Sequence, residues 1–241
     1  AKVNRFQGVA LVAYKNQIIF EKAYGYSDPV SKIPLKLDQS FELASVSKQF
    51  TAASVLKLVE LGKLSLNDKF ADFYPNFKFK EITIKHLLKH STGLWDYMNM
   101  TEAYWKEEKA PNQVEVIGLL DKHQTSLSFA PGQRFEYNNT NYALLVSLIE
   151  KLSGVSYRAF LQTHFLQDLC LDNTYVGVES RQKPNVVAVY QPYGRSFINL
   201  PPSFHNQALG DKGIHATADD LWRWFKALKN YKSLTQSSVE K

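Results

Sequence analysis

Ser45 and Lys48 have the S-x-x-K spacing that nucleophilic catalysis can use. At a helix start, residues three apart share a face, so the lysine amine can approach the serine hydroxyl. The helix N-terminus also favours negative charge developing on the serine oxygen. A lysine held out of water can accept the hydroxyl proton, so the segment predicts a serine nucleophile with a lysine base.

The same spacing occurs at three other places in the chain: Ser54–Lys57, Ser180–Lys183 and Ser238–Lys241. Ser54 is expected in the middle of a helix, where the backbone donors are already used. The other two pairs lie in polar segments that we expect to be exposed. Only Ser45 stands where an extended run meets an apolar helix, so it is the favoured nucleophile.

Tyr137 and Asn139 form a second candidate, a Y-x-N that follows a predicted turn at Pro131-Gly132 and precedes a predicted helix from Thr140. Y-x-N also begins at three other tyrosines: Tyr14, Tyr74 and Tyr97. A tyrosine at a loop-to-helix corner can point its hydroxyl into a cleft. The residues alone favour the alternative, a packed core tyrosine with Asn139 as a helix cap.

The elements that must position these residues can be read from apolar periodicity. The first 26 residues predict a β-hairpin that turns at Lys15-Asn16-Gln17. Apolar residues at helical spacing predict helices over 45–61, 82–90, 140–151 and 157–165. Residues 175–210 predict strands and loops, and a capping box at Thr217 predicts a last helix.

Composition excludes several classes of function. The net charge is +6 with pI about 9.1, but the basic residues are scattered among acids, so nucleic-acid binding is not expected. No apolar run is long enough to span a membrane, and the first residues do not show the basic-then-apolar pattern of a secretion leader, so we expect any such signal to have been removed or never to have been there. The single cysteine, Cys170, lies in an apolar run and is expected to be buried. His86 and His90 are spaced i, i+4, but without a third ligand a packing role is preferred to zinc.

Four segments together resemble the class C β-lactamase and DD-peptidase family of penicillin-binding proteins. They are residues 41–52, residues 84–94, residues 131–142 and residues 210–221. They follow one another in the family's order and at its usual separations, and they span nearly the whole chain.

The resemblance implies a fold and a site. The fold would be of the α/β (α+β) type, with an antiparallel sheet flanked by helices and an inserted, mostly helical subdomain. Residues 1–60 and 205–241 would form the sheet-containing part, and residues 61–204 the helical subdomain. Ser45 would be acylated after activation by Lys48, Tyr137 would relay protons, and Asn139 would hold Lys48 and the substrate amide. The backbone N–H of Ser45 would supply half of an oxyanion hole.

The implied function is a serine hydrolase that forms an acyl-enzyme with a β-lactam, a D-amino-acid peptide or a small ester. It would need no cofactor and would take a small-molecule or peptide substrate; the oligomeric state is not indicated. The alternative is a catalytically silent relative that binds a ligand or a partner protein. The family usually works outside the cytoplasm, which implies a periplasmic or extracytoplasmic location.

The sequence departs from the family at its third motif, a basic residue or His followed by Thr or Ser and then Gly on a C-terminal strand. No such triplet follows the last predicted helix. In the family that strand carries the second oxyanion donor. We therefore expect the sequence to be part of a longer protein, and expect its sheet to be incomplete.

Overall fold

A computed structural model describes residues 6–194, 196–201 and 204–240, which divide into two compact units. The strand unit comprises the described residues of Ala1–Leu43, His164–Pro202 and Ile214–Ser233. The helical unit comprises those of Ala44–Thr163, Ser203–Gly213 and Leu234–Lys241.

The strand unit contains short antiparallel sheets and one long helix. Its strands are β1 (Gly8–Tyr14), β2 (Gln17–Tyr24), β3 (Tyr26–Asp28), β4 (Ile33–Pro34), β5 (Phe41–Glu42), β6 (Tyr175–Val176), β7 (Tyr190–Tyr193), β8 (Ser196–Asn199) and β9 (Ile214–Ala216). The strands pair as β1-β2, β3-β4, β5-β9-β6 and β7-β8, all antiparallel. The long helix runs from Ala218 to Lys229, and its N-cap Thr217 accepts a hydrogen bond from the backbone N–H of Asp220 at 3.0 Å.

The core of the strand unit forms around this helix and the central strand β9. All three residues of β9 are buried. Trp224, which is 1% exposed, packs edge-to-face on Phe165 with ring centroids 5.5 Å apart. Apolar burial of this kind stabilises the unit, since an aromatic side chain removes a large area from water.

The helical unit is built around one central helix. Its helices are α1 (Lys48–Glu60), α2 (Phe70–Phe73), α3 (Ile84–Leu88), α4 (Tyr97–Tyr104), α5 (Gln113–His123), α6 (Asn139–Ser153) and α7 (Tyr157–Leu161); α8 is the Ala218–Lys229 helix of the strand unit, and α9 (Gln236–Val239) follows. Helix α6 is buried on all sides from Thr140 to Ile149 and packs against α1, α3, α4, α5 and α7. A helix that is apolar all round belongs in the middle of a bundle.

Most predicted elements are present with small changes at their ends. The hairpin turns at Lys15 and Asn16, both with positive φ, and α6 ends at the left-handed Gly154. The helix predicted over 82–90 is shorter, because His90 has a φ of 52° and cannot continue it. Cys170 is exposed, contrary to expectation, in a turn where its φ is also 52°.

The unit boundaries differ from the predicted division at residues 60 and 205. Residues 44–60 group with the helical unit because α1 packs on α6 and α7. Residues 164–202 group with the strand unit because β6 pairs with β9. The expected α+β class, with antiparallel strands and helices, is confirmed, and the sheets of the described residues are small and not closed.

Among the described residues, no helix has the length and apolar character needed to span a bilayer.

Candidate active site

Ser45 and Lys48 meet on the turn that leads into α1. The turn, Ala44–Ser47, is a 3₁₀ helix, in which side chains three residues apart eclipse one another. Lys48 Nζ consequently lies 3.2 Å from Ser45 Oγ. Ser45 is exposed, whereas Lys48 is only 7% exposed. Ala44 begins the turn with a φ of 45°, a left-handed conformation that non-glycine residues rarely adopt outside constrained sites.

The Lys48 amine has three hydrogen-bond partners. Besides Ser45 Oγ, the acceptors are Asn139 Oδ1 at 2.9 Å and the backbone oxygen of Asp211 at 2.9 Å. The amine is therefore fixed from three directions and directed at the serine.

Tyr137 brings a second donor to the same serine oxygen. Its hydroxyl lies 2.6 Å from Ser45 Oγ, and its ring centroid lies 4.8 Å from Lys48 Nζ. Tyr137 as a residue is 49% exposed. This contradicts the packed-core alternative for Tyr137.

The loop before Tyr137 is held by the segment that follows α3. The backbone N–H of Glu136 donates to the oxygen of His90 at 2.8 Å, and that of Gly132 donates to Ser91 at 2.8 Å. Gly93 has a φ of +74°, and a Cβ there would collide with the backbone oxygen of Phe129. The two segments can lie this close only because residue 93 is glycine.

His90 supports Tyr137 from behind. Its ring lies between those of Tyr137 and Tyr142, with centroids 4.7 and 5.0 Å away. Its Nδ1 accepts a hydrogen bond from the backbone N–H of Asn138 at 3.2 Å, so this nitrogen carries no proton. Burial, and then the charge of Lys48, lowers the pKa of His90. Burial and the nearby Tyr137 raise the pKa of Tyr142 to about 12.

Asn139 is oriented by Asp96. The Asp96 carboxylate accepts the backbone N–H of Asn139 at 2.8 Å and its side-chain amide at 3.1 Å. Because the amide nitrogen is committed to a carboxylate, the amide oxygen faces Lys48. Asn138, not Asn139, is the N-cap of α6, accepting the N–H of Thr140 at 2.8 Å.

The structure thus brings together all four residues singled out by the sequence: Ser45, Lys48, Tyr137 and Asn139. The sequence assigned no role to four residues in the surroundings of this site, which are Asp96, Tyr97, Asp211 and Lys212, and it assigned His90 only a packing role. Asp211 and Lys212 stand between Gly210 and Gly213, a pattern that indicates a tight turn but no particular contact.

A groove opens beside Tyr137, with a cavity volume of about 510 Å³. Its lining residues come from α4, from the residues just before it and from the segment that leads into α6, and they include Trp95, Asn99, Met100, Tyr104 and Glu136. The volume is in the range of small-molecule sites.

No metal site is found among the residues for which the structure gives a position. His86 Nδ1 instead accepts the backbone N–H of Thr83 at 3.2 Å, as part of the cap of α3. His86 therefore has a local structural role.

Comparison with known proteins gives a consistent result. A family model described as Beta-lactamase matches residues 2–241. Penicillin-binding protein 4* of Bacillus subtilis (strain 168) is 32% identical over 98% of this chain and 55% of its own length. The chain spans about half the length of the curated relatives it matches.

Two solved structures have similar folds. A penicillin-binding protein from Bacillus halodurans is 26% identical, with a TM-score of 0.85 over 98% of this chain and 74% of that one. The octameric penicillin-binding protein homologue from Pyrococcus abyssi is also 26% identical, with a TM-score of 0.84 over 97% of this chain and 55% of that one.

Proposed function

Because the chain belongs to the beta-lactamase family, we propose that it is a serine hydrolase that forms an acyl-enzyme on Ser45. Its substrate would be a β-lactam, a D-amino-acid peptide or a small ester. One observation carries the proposal: Ser45 Oγ lies within hydrogen-bond distance of both Lys48 Nζ and Tyr137 Oη, at 3.2 and 2.6 Å.

Acylation begins when Ser45 Oγ attacks the carbonyl carbon of the substrate. The neutral amine of Lys48 accepts the serine proton over the 3.2 Å contact. The carbonyl oxygen becomes an oxyanion, to which the backbone N–H of Ser45 donates. Asn139 Oδ1 holds the Lys48 amine in place during the transfer.

Tyr137 completes the proton route. Its hydroxyl, 2.6 Å from Ser45 Oγ, gives a proton to the leaving group and is reprotonated from Lys48. In deacylation the same pair takes a proton from the attacking water and returns it to Ser45. The groove beside Tyr137 gives room for part of the substrate. Residues of this chain carry out each proton transfer. By analogy with the family, we also propose an extracytoplasmic location.

The test is covalent labelling with a fluorescent penicillin and with a fluorophosphonate, followed by intact mass and peptide mapping. We expect a single adduct on Ser45 and no adduct in Ser45→Ala.

Ser54→Ala is the matched control because Ser54 and Lys57 repeat the same spacing within α1. Ser54 Oγ is committed to the backbone oxygen of Phe50 at 2.8 Å, and Lys57 pairs with Glu60 at 2.9 Å. Labelling of Ser54→Ala should therefore equal that of the wild type. A folded wild-type protein that binds penicillin reversibly and is labelled by neither probe would support the silent, ligand-binding alternative.

A further inference from the structure

Asp211 and Lys212 form a buried ion pair next to the candidate site. Lys212 Nζ lies 2.7 Å from Asp211 Oδ2, and the two side chains are 11% and 2% exposed. Lys212 Nζ also lies 2.6 Å from the hydroxyl of Tyr97, which is fully buried. Burial raises the pKa of Asp211, and Lys212 opposes that effect. Burial, and then Asp211, raises the pKa of Tyr97.

The backbone of the same loop binds the candidate base. The carbonyl oxygen of Asp211 accepts a hydrogen bond from Lys48 Nζ at 2.9 Å. The preceding carbonyl, of Gly210, accepts from Thr51 Oγ1 at 2.9 Å, one turn further along α1. Gly210 has a φ of +104°, and a Cβ there would meet the backbone oxygen of Tyr142. The loop is thus held between α1 and α6, and its position fixes the acceptor of Lys48.

The charges of the pair act on Lys48 in opposite senses. A carboxylate near an amine favours the ammonium form, and a second cation nearby disfavours it. With both present, the two effects offset one another. Asp211 can then supply a backbone acceptor to Lys48 without its carboxylate holding the lysine in the charged form.

Other titratable groups also face Lys48, and they stay unchanged in the test below. The rings of Tyr137 and Tyr142 lie 4.8 and 5.7 Å from Nζ. The other two groups are His90, whose pKa is lowered by burial and then by the charge of Lys48, and Asp96, which binds Asn139.

We propose that Lys212 is a positioning residue that neutralises Asp211, so that the Asp211 loop orients Lys48 while leaving it free to lose its proton. The inference rests on the proposed function for its importance to catalysis. The contacts that carry it are independent of any substrate.

The experiment follows the Lys48 amine by NMR of protein labelled with [¹³Cε]lysine, the resonance being assigned by its loss in Lys48→Met. We expect the titration midpoint of this amine to move up by about one pH unit in Lys212→Met, where Asp211 is left uncompensated. We expect it to move down by a similar amount in Asp211→Asn, where Lys212 is left. The double variant Asp211→Asn/Lys212→Met should return close to the wild-type midpoint, because it removes both charges.

Two controls separate charge compensation from general damage. Lys212→Arg keeps the charge and should keep the wild-type midpoint, and Lys63→Met removes one charge from an exposed lysine of the same unit and should not move it. If the single variants are poorly folded, the double variant and Lys212→Arg still test the inference. A Lys48 titration midpoint displaced by a full pH unit in either of them would contradict it. Equal midpoints in all folded variants would overturn it.

The pH dependence of fluorophosphonate labelling distinguishes the two proposals. If Ser45 is labelled, the acidic limb of the labelling rate should follow the NMR midpoints in the same directions. If the midpoints move as expected but Ser45 is never labelled, the positioning role stands and the proposed function fails. If Ser45 is labelled normally and the midpoints do not move, the function stands and the positioning role fails.

Discussion

At the residue scale, the chemistry depends on what surrounds one hydroxyl oxygen. Lys48 Nζ and Tyr137 Oη lie 3.2 and 2.6 Å from this oxygen, the first placed to take its proton and the second to donate a hydrogen bond to it. Hydrogen bonds that involve a charged group are roughly twice as strong as neutral ones, so both contacts strengthen as the proton moves from the serine oxygen toward Lys48. Such contacts favour the reacting state over the resting state, which is the condition for catalysis.

Replacing either Lys48 or Tyr137 should slow acylation strongly. We expect Lys48→Ala and Tyr137→Phe each to lower the labelling rate of Ser45 by about 10²- to 10⁴-fold, the usual size of an acid–base contribution. Stopped-flow or time-resolved gel fluorescence with the penicillin probe would measure this. Comparable rates in Lys48→Ala and the wild type would remove Lys48 from the proposed mechanism.

At the element scale, α1 has different tasks at its two ends. Its first residue, Lys48, belongs to the candidate site, and its last, Glu60, accepts the backbone N–H of Thr235 just before α9. Glu60 also pairs with Lys57 at 2.9 Å. Partial burial opposes ionisation of Glu60, but the hydrogen bonds from Thr235 and Lys57 lower its pKa to about 2.

The lowered pKa predicts how α1 and α9 respond to acid. A carboxyl with a depressed folded-state pKa contributes stability above its unfolded pKa of about 4.3, and loses it as the pH falls toward 2. We expect Glu60→Gln to lower the free energy of unfolding by about 1 to 2 kcal/mol at pH 7, allowing for partial solvent screening. The difference from the wild type should shrink between pH 4.5 and 2 in urea unfolding followed by circular dichroism.

Glu81→Gln is the control for this prediction. Glu81 pairs with Lys69 at 3.1 Å, but its side chain is 75% exposed, and such pairs contribute little. Equal destabilisation by the two substitutions would show that the hydrogen bond from Thr235 to Glu60 stabilises the fold no more than an exposed ion pair does.

At the scale of the whole molecule, buried histidines couple stability to pH. Burial is the leading cause of a lowered pKa at three buried histidines, His90, His205 and His215, and at the half-buried His86. A histidine with a lowered folded-state pKa is held neutral, so the unfolded chain binds more protons as the pH falls below about 6.5. The stability is therefore present above that pH and is lost below it.

His215 offers the clearest test. It lies on β9, it is 3% exposed, and its Nδ1 has no hydrogen-bond partner among the described residues. Below pH 6.5, we expect protonation linked to His215 to lower the free energy of unfolding by up to about 1 kcal/mol for each pH unit. Urea unfolding at pH 7.5, 6.5 and 5.5 should show that the free energy of unfolding depends less steeply on pH in His215→Gln than in the wild type. An equally steep dependence would contradict the assignment.

Local patterns in the sequence determined most of the elements and the four candidate residues. The turn at Lys15-Asn16, the cap at Thr217 and the stop at Gly154 depend on neighbours a few residues away, so they can be read from the chain. Ser45 and Lys48 meet because they are three residues apart on one turn. The resemblance of four segments to a known family supplied Tyr137 and Asn139.

Only the tertiary structure decided how those residues are supported. Asp96 lies 43 residues from Asn139, and Asp211 lies 163 residues from Lys48, so no periodicity relates them. These residues come into contact because α6 is buried on all sides and packs against α1, α3 and α4. A buried ion pair such as Asp211–Lys212 is visible only once burial is known, since the same two letters in an exposed turn would be solvated surface charges.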